Sequence, residues 1–308
     1  MTPKIVVITG PTATGKTALG IALAKKTGGE IVSADSMQVY QFMDIGTAKP
    51  SAGEMAEVSH HMIGVVSPFE NYSVSRYVRD ASLCVDEILG RGRLPIIVGG
   101  TGLYIESLVS GRTFAAMGDE SIRRTLSERY DSLGGEVILN ELRAVDQKSA
   151  ARLHANDKKR IVRALEIYQT TGRTISEHDE MTRKAPPRYE ACVIALSYAQ
   201  REDLYERINL RVDAMMKNGL LDEVRELIEM GLGREQTAMQ AIGYKELTGV
   251  ILENGSLDDA VERIKLESRR YAKRQLSWLH RDKALRWIIW EKKPDFDTGL
   301  QISTKYLE

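Results

Sequence analysis

The sequence predicts an α/β fold: a parallel sheet organised around a phosphate-binding loop, with an all-helical domain inserted into it. Three observations predict it. Ile5-Val6-Val7-Ile8-Thr9, a short apolar run, leads directly into Gly10-Pro11-Thr12-Ala13-Thr14-Gly15-Lys16-Thr17, which has the spacing G-x-x-x-x-G-K-[ST] and is followed by a helical pattern through Leu19, Ile21, Leu23 and Ala24. Further short apolar runs at 30–33, 94–98, 191–196 and 285–290 alternate with helical-period segments, as parallel strands with crossover helices require. From Asp119 to about Met181 the pattern is helical without a strand.

The loop carries the chemistry. Gly10 and Gly15 free the backbone to curl, so that successive N–H groups converge on a phosphate at the positive end of the following helix. Lys16 places a point charge on the outer phosphate, and Thr17 offers a hydroxyl to a metal ion, expected to be Mg²⁺. Glu30–Ser33 is the next strand, and Ala34-Asp35-Ser36-Met37-Gln38-Val39-Tyr40 stands at its carboxyl end, where ligands bind in such sheets. Residues 43–50 read as a loop, and 60–65 as another strand with His60 and His61 just before it. A helix runs from about Ser73 to Gly90 with Tyr77, Val78, Ala81, Val85 and Ile88 on one face. After the strand 94–98, Gly99-Gly100-Thr101-Gly102 forms a second tight turn with Thr101 at its tip.

In the insertion, Asn156 is placed to cap a helix over 157–171, which Gly172 stops. Pro186 and Pro187 mark the return to the core. Helices follow over 201–217 and 221–230, then a turn at 238–247 and a long helix from Ser256, boxed by Asp259, to about His280. The residues after Trp290 read as a loose tail. The expected domains are 1–115 as the first part of the core, 116–185 as the helical insertion and 186–308 as the second part.

Composition narrows the class. Of 308 residues, 43% are hydrophobic and 28% charged, the balance of a globular protein. No run approaches a membrane span and no charged-then-apolar leader precedes the first strand, so the cytoplasm is the expected location and no membrane partner is expected. Cys84 and Cys192 read as reduced core residues, and His60 and His61 as packing residues rather than metal ligands. Lys plus Arg equals Asp plus Glu at 43 each, so partners must be read from local charge. Lys158, Lys159, Arg160 and Arg163 form one basic stretch; Arg263, Lys265, Arg269, Arg270, Lys273, Arg274, Arg281, Lys283 and Arg286 form another, interleaved with Tyr271, Trp278 and His280. Two such stretches around a phosphate loop fit RNA held through its backbone. Arg207 and Arg211, one turn apart, are placed to reach phosphates from a facing wall.

A kinase or ATPase loop is usually served by an aspartate at the end of a buried strand; here 94–98 ends in Gly99-Gly100, and Asp35 is the available carboxylate, as a metal ligand or a proton acceptor. Gln38 suits an adenine edge. On the residues alone, a small-molecule or nucleotide kinase and an RNA-binding protein switched by a nucleotide stand beside a group-transfer enzyme.

The runs Gly10–Thr17, Asp35–Tyr40, Met43–Pro50, Val98–Tyr104, Asn156–Glu166, Ala241–Leu247 and Arg270–Gln275 together resemble the bacterial tRNA dimethylallyltransferase (isopentenyltransferase) family, over nearly the whole chain. The resemblance implies a P-loop NTPase-like core with a helical insertion gripping the anticodon stem-loop of tRNA. It also implies transfer of the dimethylallyl group of dimethylallyl diphosphate to N6 of adenosine 37 in tRNAs reading codons that begin with U, assisted by Mg²⁺. It assigns Asp35 as catalytic base, with Lys16, Thr17 and Thr101 completing the catalytic set. The diphosphate falls to Gly10, Pro11, Thr12, Ala13, Thr14, Gly15, Lys16 and Thr17, helped by Arg211. Contacts to tRNA fall to Asp35, Ser36, Met37, Gln38, Thr101, Arg123, Lys159, Arg160, Ile161, Val162 and Arg163, and to the stretch from Arg234 to Gln240. The basic face adds Arg270, Lys273 and Arg274. Thr14 stands where many relatives have serine, and Lys159 where many have glutamine. A monomer is expected.

Overall fold

The computed structural model describes residues 4–112, 114, 119–184 and 186–307. The chain divides into two compact units, Met1–Val109 with Arg188–Glu308, and Ser110–Pro187. At the boundaries expected at 115/116 and 185/186, residues 115, 116 and 185 lie outside those described.

The first unit runs β1 (Lys4–Thr9), α1 (Lys16–Thr27), β2 (Glu30–Ser33), α2 (Ala52–Glu57), β3 (His60–His61), α3 (Val74–Gly90), β4 (Pro95–Val98) and α4 (Gly102–Ser110). The second unit contains α5 (Glu120–Leu133), α6 (Gly135–Val145), α7 (Gln147–Ala150), α8 (Lys158–Thr171) and α9 (Ile175–Lys184). The first unit resumes with β5 (Glu190–Tyr198), α10 (Arg201–Lys217), α11 (Leu220–Glu229), a 3₁₀ turn at Ala238–Gln240, α12 (Tyr244–Glu253), α13 (Leu257–Leu279), β6 (Arg286–Trp290) and α14 (Phe296–Lys305).

The sheet order is β3-β2-β4-β1-β5-β6, and every strand pair is parallel. Strands β1, β2 and β4 are buried on both faces, as helix-covered parallel strands must be, while the edge strands β3 and β6 are partly exposed. Their side chains alternate between two cores. Ile5, Val7, Val32 and Ile97 join the core made with α3, α11, α12 and α13. Val6, Ile8, Ile31, Ile96, Ile194 and Leu196 join the one made with α1 and α14. In the second unit Leu126, Ile138, Leu142, Ile161 and Leu165 form a separate core. β1 is central, so the loop after it opens at the middle of the sheet's carboxyl edge.

Three local expectations are corrected. The chain after Trp290 is no loose tail: Asp295 caps α14 by accepting from the Thr298 N–H, and Phe296, Leu300 and Ile302 pack on the α1 side. The apolar positions are few and separated by polar residues, which hides the helix from a periodicity reading. The two histidines are themselves β3, because left-handed backbone at Met62 (φ 64°) and Gly64 (φ 60°) turns the chain out of the strand. Ser51 and Glu54 form a capping box that starts α2, a short helix between the 43–50 loop and β3. Asp157, not Asn156, is the residue that leads into α8.

The Phe296 ring packs over Gly15, where a Cβ would come within 2.8 Å of it, and meets Trp290 edge-on with centroids 6.0 Å apart. Phe296→Ala is therefore expected to lower unfolding free energy by roughly 1–3 kcal/mol in urea denaturation, because it empties a half-buried aromatic site against the loop; an unchanged midpoint would show that α14 is not part of the core.

Candidate active site

The residues 10–17 adopt a curled loop with left-handed backbone at Ala13 (φ 66°) and Gly15 (φ 84°). Its carbonyls are tied by donors from within the loop and from distant parts of the chain. Pro11 O accepts from Thr14 Oγ1 (2.8 Å) and Lys16 Nζ (2.7 Å). Thr14 O accepts from Trp290 Nε1 (2.9 Å), and Ala13 O from the Tyr198 hydroxyl (3.4 Å). Gln275, buried on α13, accepts from the Thr12 N–H (3.0 Å) and donates to Gly100 O (2.9 Å), so it clasps the two tight turns together.

A cavity of about 530 Å³ opens on this loop. Thr12, Ala13, Gly15, Lys16 and Thr17 line one side, Asp35–Gln38 and Gly46–Ala48 another, and Arg211, Gln240 and Arg274 further walls; Met37, Val212, Met215, Leu220, Ile242 and Ile264 give it apolar surface. Thr14 lies wholly buried behind the loop, and its hydroxyl serves Pro11 rather than the cavity. Lys16 and Arg211 converge with Asp35. Burial first, and then the Arg211 guanidinium, push the Lys16 ammonium down to about 7, while Asp35 acts in the opposite direction. Burial likewise weighs against the charge of Arg211, and Asp35 offsets part of it. Two cations facing one cavity form a site that an oligoanion relieves. Arg207 does not join them; it reaches the Tyr198 hydroxyl.

Asp35 is held in a turn of its own making: Oδ1 accepts from the Met37 N–H (2.8 Å) and the Gln38 N–H (3.3 Å). Thr101 fastens that turn from the second loop, its Oγ1 accepting from the Ser36 N–H (3.0 Å) and its own N–H donating to Ala34 O (3.1 Å). The Tyr271 hydroxyl stands beside Thr101 and Gln275, and burial, followed by the charge of Asp35, pushes it up to about 12, so it stays neutral. Gln38 spends both donors internally, on Thr47 O (3.2 Å) and Ala48 O (3.1 Å), and its Oε1 accepts from Ser33 (3.1 Å). Its amide therefore holds the neighbouring loop rather than standing free for an adenine edge.

Of the residues assigned to RNA, Ile161 and Val162 are corrected: they are buried in the core of the helical unit, facing inward on α8, and cannot offer side chains to a ligand. Lys159 and Arg160 lie on the exposed face of the same helix. Arg123 makes a bidentate pair with the buried Glu166 (3.1 and 2.9 Å), and Arg163 lies 3.0 Å from the same carboxylate. Arg234 pairs with Glu253 (2.6 Å), and its backbone carbonyl accepts from the Gln240 amide. Arg270 and Lys273 are exposed on α13, Arg270 pairing with Glu267 (2.7 Å), and Arg274 lies on that helix at the cavity.

Three residues in this architecture carry no sequence signal for their role. Glu223, Gln275 and Trp290 each satisfy backbone groups far away in sequence, and only the folded chain brings them there. Among the described residues no group of three or more His, Cys, Asp or Glu is disposed to hold a metal, and no helix is long and apolar enough to cross a membrane.

Comparison with known proteins accords with this site. The model of the IPP transferase family matches residues 38–282, and an isopentenyl transferase model matches 3–63. The chain is 50% identical to the tRNA dimethylallyltransferase of Geobacillus thermodenitrificans, covering all of this chain (100%) and 97% of that one. It is 45% identical to the enzyme of the same name from Acetivibrio thermocellus, over 97% and 95%. Among solved structures it is similar to the tRNA isopentenylpyrophosphate transferase of Bacillus halodurans (40% identity, TM-score 0.73, 99% and 95% covered). It is also similar to a eukaryotic dimethylallyltransferase described as acting on tRNA (31%, TM-score 0.84, 98% and 77% covered). Phosphate loop, carboxylate turn and basic helix occur here in the setting of that family, and the chain belongs to the IPP transferase family of tRNA dimethylallyltransferases.

Proposed function

We propose that this cavity moves the dimethylallyl group of dimethylallyl diphosphate to N6 of adenosine 37, just 3′ of the anticodon, in tRNAs reading codons that begin with U. The observation that carries the reading is the convergence of Lys16, Arg211 and Asp35 on one cavity above a phosphate loop, in a chain of this family. Diphosphate leaves readily only if its growing charge meets fixed donors. The loop amides, Lys16 and Arg211 are such donors, and they act where charge develops. Thr17 lines the cavity beside them, and its hydroxyl with the diphosphate oxygens and water suits Mg²⁺, a hard cation that needs few protein ligands. When bound, Mg²⁺ would share the leaving-group charge.

The exocyclic amine of adenine is a weak nucleophile, because its lone pair is delocalised into the ring. As N6 attacks C1 of the allyl group, the C1–oxygen bond breaks, diphosphate departs with the electron pair, and N6 gives up a proton. Asp35 is the acceptor for that proton, and its turn, fastened by Thr101, fixes where the carboxylate stands. The target base must leave its stack, at less cost from a loop than from a duplex. Arg270, Lys273 and Arg274 on one unit, and Lys159 and Arg160 on the other, would repay that cost on the RNA backbone. Apolar residues such as Val212, Met215 and Leu220 would keep water from the reacting carbon. We take the working protein to be a cytoplasmic monomer.

Asp35→Asn should lower kcat by about 10²–10⁴-fold while leaving tRNA affinity nearly unchanged, measured by single-turnover transfer and filter binding; lost binding with normal turnover of bound tRNA would contradict the role. The depressed Lys16 sets a second expectation. Its charged form binds the anion, so protonation favours binding. The affinity advantage of the wild-type protein over Lys16→Met for inorganic pyrophosphate should shrink several-fold as pH is raised from about 6 to about 8.5 in titration calorimetry. An advantage independent of pH would contradict it.

A further inference from the structure

The loop between Met43 and Pro50 forms one wall of the cavity through Gly46, Thr47, Ala48 and Pro50, yet it contains no helix or strand to hold it. Its amides are gathered by one side chain from α11. Glu223 Oε2 accepts from the Asp44 N–H (2.8 Å) and the Ile45 N–H (2.7 Å), and Oε1 from the Gly46 N–H (3.1 Å). The hydroxyl of the buried Tyr244, on α12, donates to the same Oε1 (2.5 Å). Three successive amides aimed at one point would make a site for an exogenous anion; here the protein's own carboxylate fills it. Gly46 lies so close over the Tyr244 ring that a Cβ there would meet it at 2.5 Å, which seals the arrangement from below.

The other side of the loop is tied to the carboxylate turn. With the amides of 44–46 held, the carbonyls of Thr47 and Ala48 receive both hydrogens of the Gln38 amide. The Gln38 N–H in turn donates to Asp35 Oδ1. Lys49 closes the loop at its base, Nζ donating to Tyr40 O (2.5 Å) and pairing with Asp44 (2.6 Å). A continuous series of hydrogen bonds therefore runs from Glu223 through the loop to Gln38 and Asp35, without passing through the phosphate loop. We infer that Glu223 is a positioning residue for the transfer reaction, setting the place of the Asp35 turn through the 44–48 loop. The inference rests on the proposed reaction, since it names Asp35 as the group being positioned.

Glu223→Gln is the discriminating variant. It keeps the size of the side chain but turns one oxygen into an NH₂ that faces N–H donors. The expected result is a fall in kcat of roughly 10- to 100-fold, because small displacements of a reacting group are costly. Inorganic pyrophosphate affinity, governed by the phosphate loop, should stay within about twofold. The amides of Asp44, Ile45 and Gly46 should exchange with deuterium at least about tenfold faster. Tyr244→Phe, which removes one donor and leaves all three amides bonded, should keep kcat within about threefold of wild type. Unchanged kcat in Glu223→Gln with an active wild-type protein would overturn the positioning role alone, as would a parallel loss of pyrophosphate affinity, the mark of a general structural defect. A wild-type protein that transfers no dimethylallyl group to tRNA would overturn the reaction and this role with it.

Discussion

A phosphate-binding loop must aim its N–H groups inward, and a peptide that aims its N–H inward sends its carbonyl outward. Those carbonyls need partners, or the loop costs the desolvation of several polar groups. Much of the first unit answers this demand. Trp290 at the end of β6, Tyr198 at the end of β5, and the Thr14 and Lys16 side chains take the outward carbonyls, while Gln275 takes the one amide at the loop's entrance. The last strand and helix are in this sense part of the loop, since Trp290 and Phe296 hold its back.

The same economy governs the other wall. Asp35 caps its own turn, Thr101 pins that turn to the second glycine-rich corner, and Gln38 and Glu223 bind the next loop to it. Charge is then distributed with one purpose. Lys16 and Arg211 line one cavity, and burial first, then the Arg211 charge, weigh against the Lys16 ammonium. A diphosphate bound there, as proposed, would meet both cations, which would place binding energy at the atoms where bond breaking occurs. Asp35 stands near enough to moderate both cations, so the group proposed to take the proton and the groups proposed to hold the leaving anion share one field.

Local signals made the core of this architecture legible in the sequence. The motif at Gly10–Thr17, the apolar strands and the helical stretch after Asp119 are periodicities and spacings of neighbouring residues, and the structure realises each of them. Asp35 and Arg211 were legible as candidates because one follows a strand and the other sits one turn from Arg207 on a helix. What was not legible depends on distance along the chain. Glu223 meets Asp44 across 179 positions and Gln275 meets Thr12 across 263, and no local pattern carries such pairings. Burial was also hidden: Ile161 and Val162 sit in a basic run, and only the packing of α8 shows that they face inward. Helix α14 escaped because its apolar positions are sparse and its partner is the loop at the other end of the sequence.

If the cavity joins an allyl group to an adenine amine, the product is carried by the RNA itself. The most direct measurement is to incubate the purified protein with dimethylallyl diphosphate, Mg²⁺ and unmodified tRNA, digest the RNA, and weigh the nucleosides. Adenosine carrying one added C₅H₈, formed with release of diphosphate, is the expected product. Bound but unaltered tRNA would contradict it.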